Sequence, residues 1–213
     1  MRRIGLYFLI LTALSLNFIP SSRAQGKPEG KVQVMGFGPD LLSSGPRAEF
    51  LEEVAYYEQR YTRLAEAMPA EKYGWRPGEG VRSVGEVFAH IAIANYGIAN
   101  ALVAARTPGV TFSFDPKAIM ALADDKPKLL QSLKDSFAHF RKIVLMLDDA
   151  DADKPQTMFN RQTTLRGSFI MITGHFGEHL GQSIAYARMN GIVPPWTEET
   201  QKQQQKPADK PKT

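Results

Sequence analysis

The sequence predicts an all-α protein, a four-helix bundle with an extra short helix before the third long one and disordered tails. Three observations carry that expectation. Four long stretches place apolar residues three and four apart, the repeat of one helical face. No stretch shows the alternation of a convincing strand, and the gaps between the four are punctuated by Pro, Gly and cap-forming residues. A chain of 213 residues, 43% of them hydrophobic, has enough material for one good core.

Residues 1–24 stand outside that core. Arg2 and Arg3 precede the apolar run IGLYFLILTALSLNFI, and Ser22-Arg23-Ala24 has the small-x-small pattern of a cleavage site. The expectation is a signal peptide removed after Ala24, giving a secreted or periplasmic protein with no stable membrane insertion after cleavage. The rival reading is an uncleaved anchor, because the run approaches the roughly 20 apolar residues a bilayer needs. The three arginines of this segment account for three of the four net positive charges, so the remainder carries +1. No cluster of Lys and Arg interleaved with aromatics stands out, which argues against a nucleic-acid partner. With no Cys in the chain, disulfides, thiolate ligands and thiol nucleophiles are excluded, and core packing must hold an exported fold.

Residues 25–45 are rich in Gly, Pro and Ser and read as a surface leader; residues 46–196 form the folded domain. The first helix, about residues 47–68, carries the stripe Phe50, Val54, Tyr57, Tyr61 and Leu64, and Pro69 stops it. A loop follows, whose Tyr73 and Trp75 are expected to pack under the bundle. The second helix opens on Ser83-Val84-Gly85-Glu86, a capping box, and runs to about residue 106 with Val87, His90, Ile91, Ala94 and Ile98 inward. Thr107-Pro108-Gly109 ends it.

Asp115-Pro116 can start a helix, but Lys126-Pro127 interrupts the pattern, so a short helix precedes a long one over residues 128–147. The long one is expected to bury Leu130, Leu133, Phe137, Phe140, Val144 and Leu147. Asp148, Asp149, Asp151 and Asp153 belong just past its end, where acids are unfavourable inside a helix. Their spacing invites a calcium reading, but the glycine and terminal glutamate of an EF-hand loop are missing, and a solvated loop is the simpler account.

The last helix, residues 165–190, is about seven turns long at 3.6 residues per turn. Arg188 in its last turn, Gly191 as a left-handed cap and Pro194-Pro195 mark its end. His175 and His179 project from one face, which Ile172, Phe176, Ser183 and Tyr186 extend. Gly174, Gly177 and Gly181 each cost up to about 1 kcal/mol relative to Ala in a helix interior, so close helix approach or room beside a metal is expected there. Residues 197–213 have one Ala as their sole apolar residue and read as a disordered tail.

Three of the four histidines, His90, His175 and His179, thus fall on core-facing positions. Two imidazoles at i and i+4 plus a third from a neighbouring helix make the three-ligand arrangement that leaves a coordination position open. His139 sits beside its helix's stripe and reads as structural or exposed. His175-Phe176-Gly177-Glu178-His179 also fits H-x-x-E-H, the pattern of inverted zinc peptidases, but those need a distal acidic ligand on a further helix.

The order of these parts resembles the DinB family of metalloenzymes over nearly all of residues 47–196: SVGEVFAHI with one histidine, a long third helix, then HFGEHLGQSIAYARMNGIVPPW. The resemblance implies an up-down-down-up four-helix bundle with a divalent metal, zinc or nickel, on His90, His175 and His179. It also implies thiol S-transferase or isomerase activity among the better understood relatives. Low-molecular-weight thiols are cytoplasmic, so an exported member shifts the first reading to metal-dependent hydrolysis of a small-molecule substrate. Thiol transfer and a non-catalytic metal- or ligand-binding bundle remain the alternatives, and a homodimer is left open. Glu178 is the nearest base candidate in sequence, though rotated about 100° from His179 and expected at the surface. Gln182, one turn beyond His179, is placed to orient an imidazole or bind a ligand.

Overall fold

The computed structural model describes residues 44–205; the expected signal peptide, nearly all of the expected leader and residues 206–213 lie outside the described residues. The helices are α1 Pro46–Ala67, α2 Val84–Ala104, α3 Pro116–Met120, α4 Lys126–Leu145, α5 Leu165–Met189 and α6 Pro195–Gln204. A two-stranded antiparallel hairpin, β1 Pro155–Met158 and β2 Arg161–Thr164, comes between α4 and α5.

Each long helix begins where local chemistry permits. Pro46 occupies the first turn of α1, where its missing N–H is not needed. Ser83 Oγ accepts from the Glu86 backbone N–H at 3.2 Å while the Ser83 N–H donates to Glu86 Oε2 at 2.7 Å, so the capping box of α2 is complete. The Asp125 carboxylate caps α4, and Pro127 lies in its first turn. Lys126-Pro127 therefore starts this helix; Leu133, Phe137, Phe140, Val144 and Leu147 are buried as expected, and Leu129 is buried where Leu130 is only partly so. Thr164 Oγ1 accepts from the Gly167 N–H at 3.1 Å to open α5. Gly191, at φ +75°, ends it in the left-handed region as its position predicts.

Contacts fix the helix directions. Both α1 and α2 pack against α4 and α5. Phe50 of α1 meets Phe140 and Glu66 pairs with Lys134, so α1 and α4 run antiparallel. Phe50 stacks on Phe169 and the Tyr61 hydroxyl donates to the Phe176 carbonyl at 2.7 Å, so α1 and α5 run parallel. Asn95 donates to Ser136 at 2.9 Å and Arg106 pairs with Asp151 beyond the end of α4, so α2 and α4 run parallel. Up-down-down-up follows for α1, α2, α4 and α5. Rings of Phe50, Tyr61, Phe137, Phe140, Phe169 and Phe176 fill the interior between α1, α4 and α5. The α2–α5 seam is left for the histidines.

Four expectations need correction. The hairpin was unforeseen: each strand is four residues long, too short to show a period above the loop around it. The tail expected to be disordered from Thr197 is helical to Gln204, because Pro195 fixes its first turn, Arg60 lies 4.3 Å over the Trp196 ring, and Arg63 pairs with Glu199. The acidic run forms a single turn, Asp149–Asp151, whose carboxylates meet cations: Asp149 accepts from the Arg47 N–H and Asp151 faces Arg106 and Lys154. Finally, close helix approach holds at Gly177, where a Cβ would lie 3.3 Å from the Tyr57 hydroxyl, but at Gly174 and Gly181 a Cβ would meet nothing within 4 Å among the described residues.

Candidate metal centre

Facing turns of two antiparallel helices build the site. On α5 the four-residue spacing stacks His175 under His179, and α2 brings His90 opposite them. Their ring centroids are 4.6 Å (His90–His179), 4.8 Å (His175–His179) and 5.5 Å (His90–His175) apart. One nitrogen from each ring can be chosen so that all three lie within 4.8 Å of one another. His90 Nε2 and His175 Nε2 are 3.4 Å apart. Two nitrogens each about 2.0–2.1 Å from one tetrahedral ion are separated by about 3.4 Å, so this edge already has the length a common ion requires.

Electrostatics keep two of the three rings, His90 and His175, in ligand form. Burial pushes the His90 pKa down to about 4, helped by the positive charge of Arg82 and by His179 and His175. Burial also pushes His175 down to about 4, with His179 and Arg82 adding to it and Glu178 opposing. At neutral pH both imidazoles are uncharged, the state a metal ligand needs. His175 Nδ1 is buried with no hydrogen-bond partner among the described residues, so the ring retains donor or acceptor capacity there. The donor set is all imidazole nitrogen, which suits zinc, nickel, copper or iron and does not suit calcium or magnesium.

The surroundings orient the rings. His179 Nδ1–H donates to Gln182 Oε1 at 3.0 Å, and the Gln182 amide donates to the Tyr186 hydroxyl at 2.9 Å. That chain assigns the proton of His179 to Nδ1 and leaves Nε2 with its lone pair free. The Tyr186 ring is held edge-on by Trp75 at 5.5 Å. On the other side Phe159, at the hairpin tip, places its ring 5.9 Å from that of His175.

The expected site residues divide clearly. His90, His175, His179 and Gln182 come together, whereas Glu178 is exposed to solvent. His139 packs instead between Tyr96 and Phe112. Tyr73 is buried, with its hydroxyl donating to the Ala65 carbonyl. Arg82 and Phe159 were not anticipated near the histidines. Arg82 carries no signal beyond its place before the capping box, and Phe159 lies on the unforeseen hairpin.

Comparison with known proteins agrees with this architecture. The DinB superfamily profile matches residues 56–183. A DinB-like protein from Bacillus cereus ATCC 10987 superposes with a TM-score of 0.59 at 17% identity, over 70% of this chain and 95% of that one. YfiT from Bacillus subtilis, a probable metal-dependent hydrolase with an unusual four-helix bundle topology, gives 0.56 at 14% identity, over 69% and 89% of the two chains. No curated protein matches the chain. Both structures share the fold, and the matched segment spans more than half of the 213 residues and contains all three histidines; the chain belongs to the DinB superfamily.

Proposed function

We propose that this protein is a metal-dependent hydrolase of a small molecule, with His90, His175 and His179 holding one divalent ion, zinc or nickel, through neutral imidazole nitrogens. The observation that carries the reading is the convergence of three ring nitrogens from two helices to within 4.8 Å, with no carboxylate among them. Three protein ligands of this kind leave a position open for water or substrate. When bound, such an ion polarises a carbonyl or phosphoryl oxygen and brings the pKa of water down to about 7. The protein's own part is to present neutral rings, which burial and Arg82 secure for His90 and His175, and to fix the His179 tautomer through Gln182. YfiT, a probable metal-dependent hydrolase of the same fold, supports the reaction class. The apolar run and cleavage pattern of residues 1–24 support action outside the cytoplasm, where a low-molecular-weight thiol is not at hand.

Metal analysis of the full chain and its single variants tests the site. About one divalent ion per chain is expected, with a sharp loss in His90→Ala, His175→Ala and His179→Ala and full retention in His139→Ala. Full occupancy in His90→Ala with loss in His139→Ala would overturn the assignment. Hydrolysis of ester and amide substrates by the metal-loaded protein tests the reaction, and an absolute requirement for an added thiol would replace hydrolysis with thiol transfer. N-terminal sequencing of exported material should begin at Gln25; intact Met1 in the membrane fraction would favour the anchor.

A further inference from the structure

We infer that the groove between α2 and the tip of the β1–β2 hairpin is the subsite for the apolar chain of the substrate, an ester or amide bearing a medium-length aliphatic group. This rests on the hydrolase reading and adds to it what the substrate looks like. The groove holds about 310 Å³ and is lined by Gly97, Ile98 and Ala101 of α2 and by Thr157, Met158, Phe159 and Asn160 of the hairpin. That volume is at the lower end of the about 300–1,000 Å³ of small-molecule sites, which suits one short chain.

Two features tie the groove to the histidines. Gly97 and Ala101 follow His90 by seven and eleven residues, which at about 100° per residue keeps them on the His90 face of α2, farther along the helix. Phe159 lines the groove and also brings its ring to 5.9 Å from His175, so one side chain is shared by the groove and the surroundings of the cluster. The floor is apolar and closed, with Ile98 and Met158 5% and 3% exposed. Its width depends on the small side chain at Ala101, where a larger one would occupy it; a Cβ at Gly97 would instead meet the Phe114 ring at 4.0 Å. The tip itself is unusual, because Phe159 and Asn160 stand at φ 49° and 59°. A bulky residue in the left-handed region is uncommon, and such backbone strain concentrates at functional sites. Here it holds an aromatic ring, 47% exposed, at the mouth of the groove. The larger cleft, about 470 Å³ and lined by Tyr96, Phe114, Lys128 and Asp135 among others, lies on the side of His139, which Tyr96 contacts.

The test titrates octanoate into the metal-free full chain carrying ¹³C-methyl methionine, with acetate as the control that has the carboxylate and lacks the chain. Octanoate should move the Met158 methyl resonance saturably and acetate should not. Ala101→Phe should weaken octanoate about tenfold or more, the effect of a few methylenes losing their burial. Phe159→Ala, at an exposed position that leaves the helices intact by circular dichroism, should weaken it as well. An unmoved Met158 resonance, or equal octanoate binding in both variants, overturns the subsite. Because no metal is present, failure of the metal assignment leaves this outcome unaffected. With the metal-loaded protein, kcat/KM for 4-nitrophenyl esters should rise from acetate to octanoate, and Ala101→Phe should abolish the rise at unchanged metal content; a flat series in the parent protein also overturns the subsite.

Discussion

His179 donates through Nδ1 to Gln182 Oε1 at 3.0 Å, and this contact decides which nitrogen of the ring faces the cluster. Gln182 can serve as acceptor because its amide nitrogen is already committed to the Tyr186 hydroxyl. Without that acceptor the ring is free to rotate and to take the other tautomer. Gln182→Leu should therefore weaken metal binding by about 10–100-fold, the usual effect of losing such a support. Gln182→Glu keeps an acceptor and should retain most of the affinity. Competitive metal titrations on both variants check this, and equal losses in the two would refute the tautomer argument.

The two depressed histidines make the metal-free fold acid-sensitive. In the unfolded chain each takes up a proton near pH 6.5, whereas in the fold burial delays protonation to about 4. Between those values the unfolded state binds more protons, so stability falls as pH drops from about 6.5 towards 4. Above 6.5 both states hold neutral rings and these groups impose no pH dependence. Thermal melting of the metal-free protein between pH 7 and pH 5 should show the decline, and His90→Ala should reduce its slope. An unchanged slope would mean the ring is as free to protonate in the fold as in the unfolded chain.

The bundle and the three histidines were legible because both rest on periodicity. A helix places i and i+4 on one face whatever surrounds it, so His175 and His179 could be paired from sequence, and His90 followed from the stripe Val87, Ile91, Ala94 and Ile98. The hairpin was not legible because its turn uses Phe159-Asn160 at positive φ, where Asn-Gly or Asp-Gly is the recognisable signal. Its inward residues number two, Gln156 and Met158. The helix α6 escaped notice for a different reason. It fully buries no residue of its own; the half-buried Trp196 packs against the core, and the rest is held by Arg60 and Arg63, whose partners cannot be inferred from a polar tail.

That attachment sets the expected behaviour of α6. The Arg60 guanidinium lies 4.3 Å from the Trp196 ring centroid and 4.7 Å from that of Tyr56, contacts worth about 0.5–1 kcal/mol each at exposed sites. Trp196→Ala should raise amide exchange and proteolysis over residues 195–204 while shifting the global unfolding free energy by less than about 1 kcal/mol. A larger loss would show that α6 supports the bundle.

Glycines in the helices should respond to alanine with opposite signs. At Gly85 a Cβ would sit 1.8 Å from the Ala123 carbonyl oxygen and 2.7 Å from its carbon, both backbone atoms. Gly85→Ala must therefore push the segment before α4 away from the first turn of α2, at an expected loss of about 1–3 kcal/mol, as for other overpacked positions. At Gly174 and Gly181 a Cβ would meet nothing within 4 Å, and neither glycine has φ in the left-handed region. There alanine removes only the backbone freedom of the unfolded chain, and each change should stabilise by roughly 0.5–1 kcal/mol. Two turns separate them, about 10 Å along the axis, so the gains should add. Denaturant unfolding of the three single variants and the Gly174→Ala/Gly181→Ala double variant measures this. Destabilisation at both exposed glycines would mean that another surface packs closely against this face of α5.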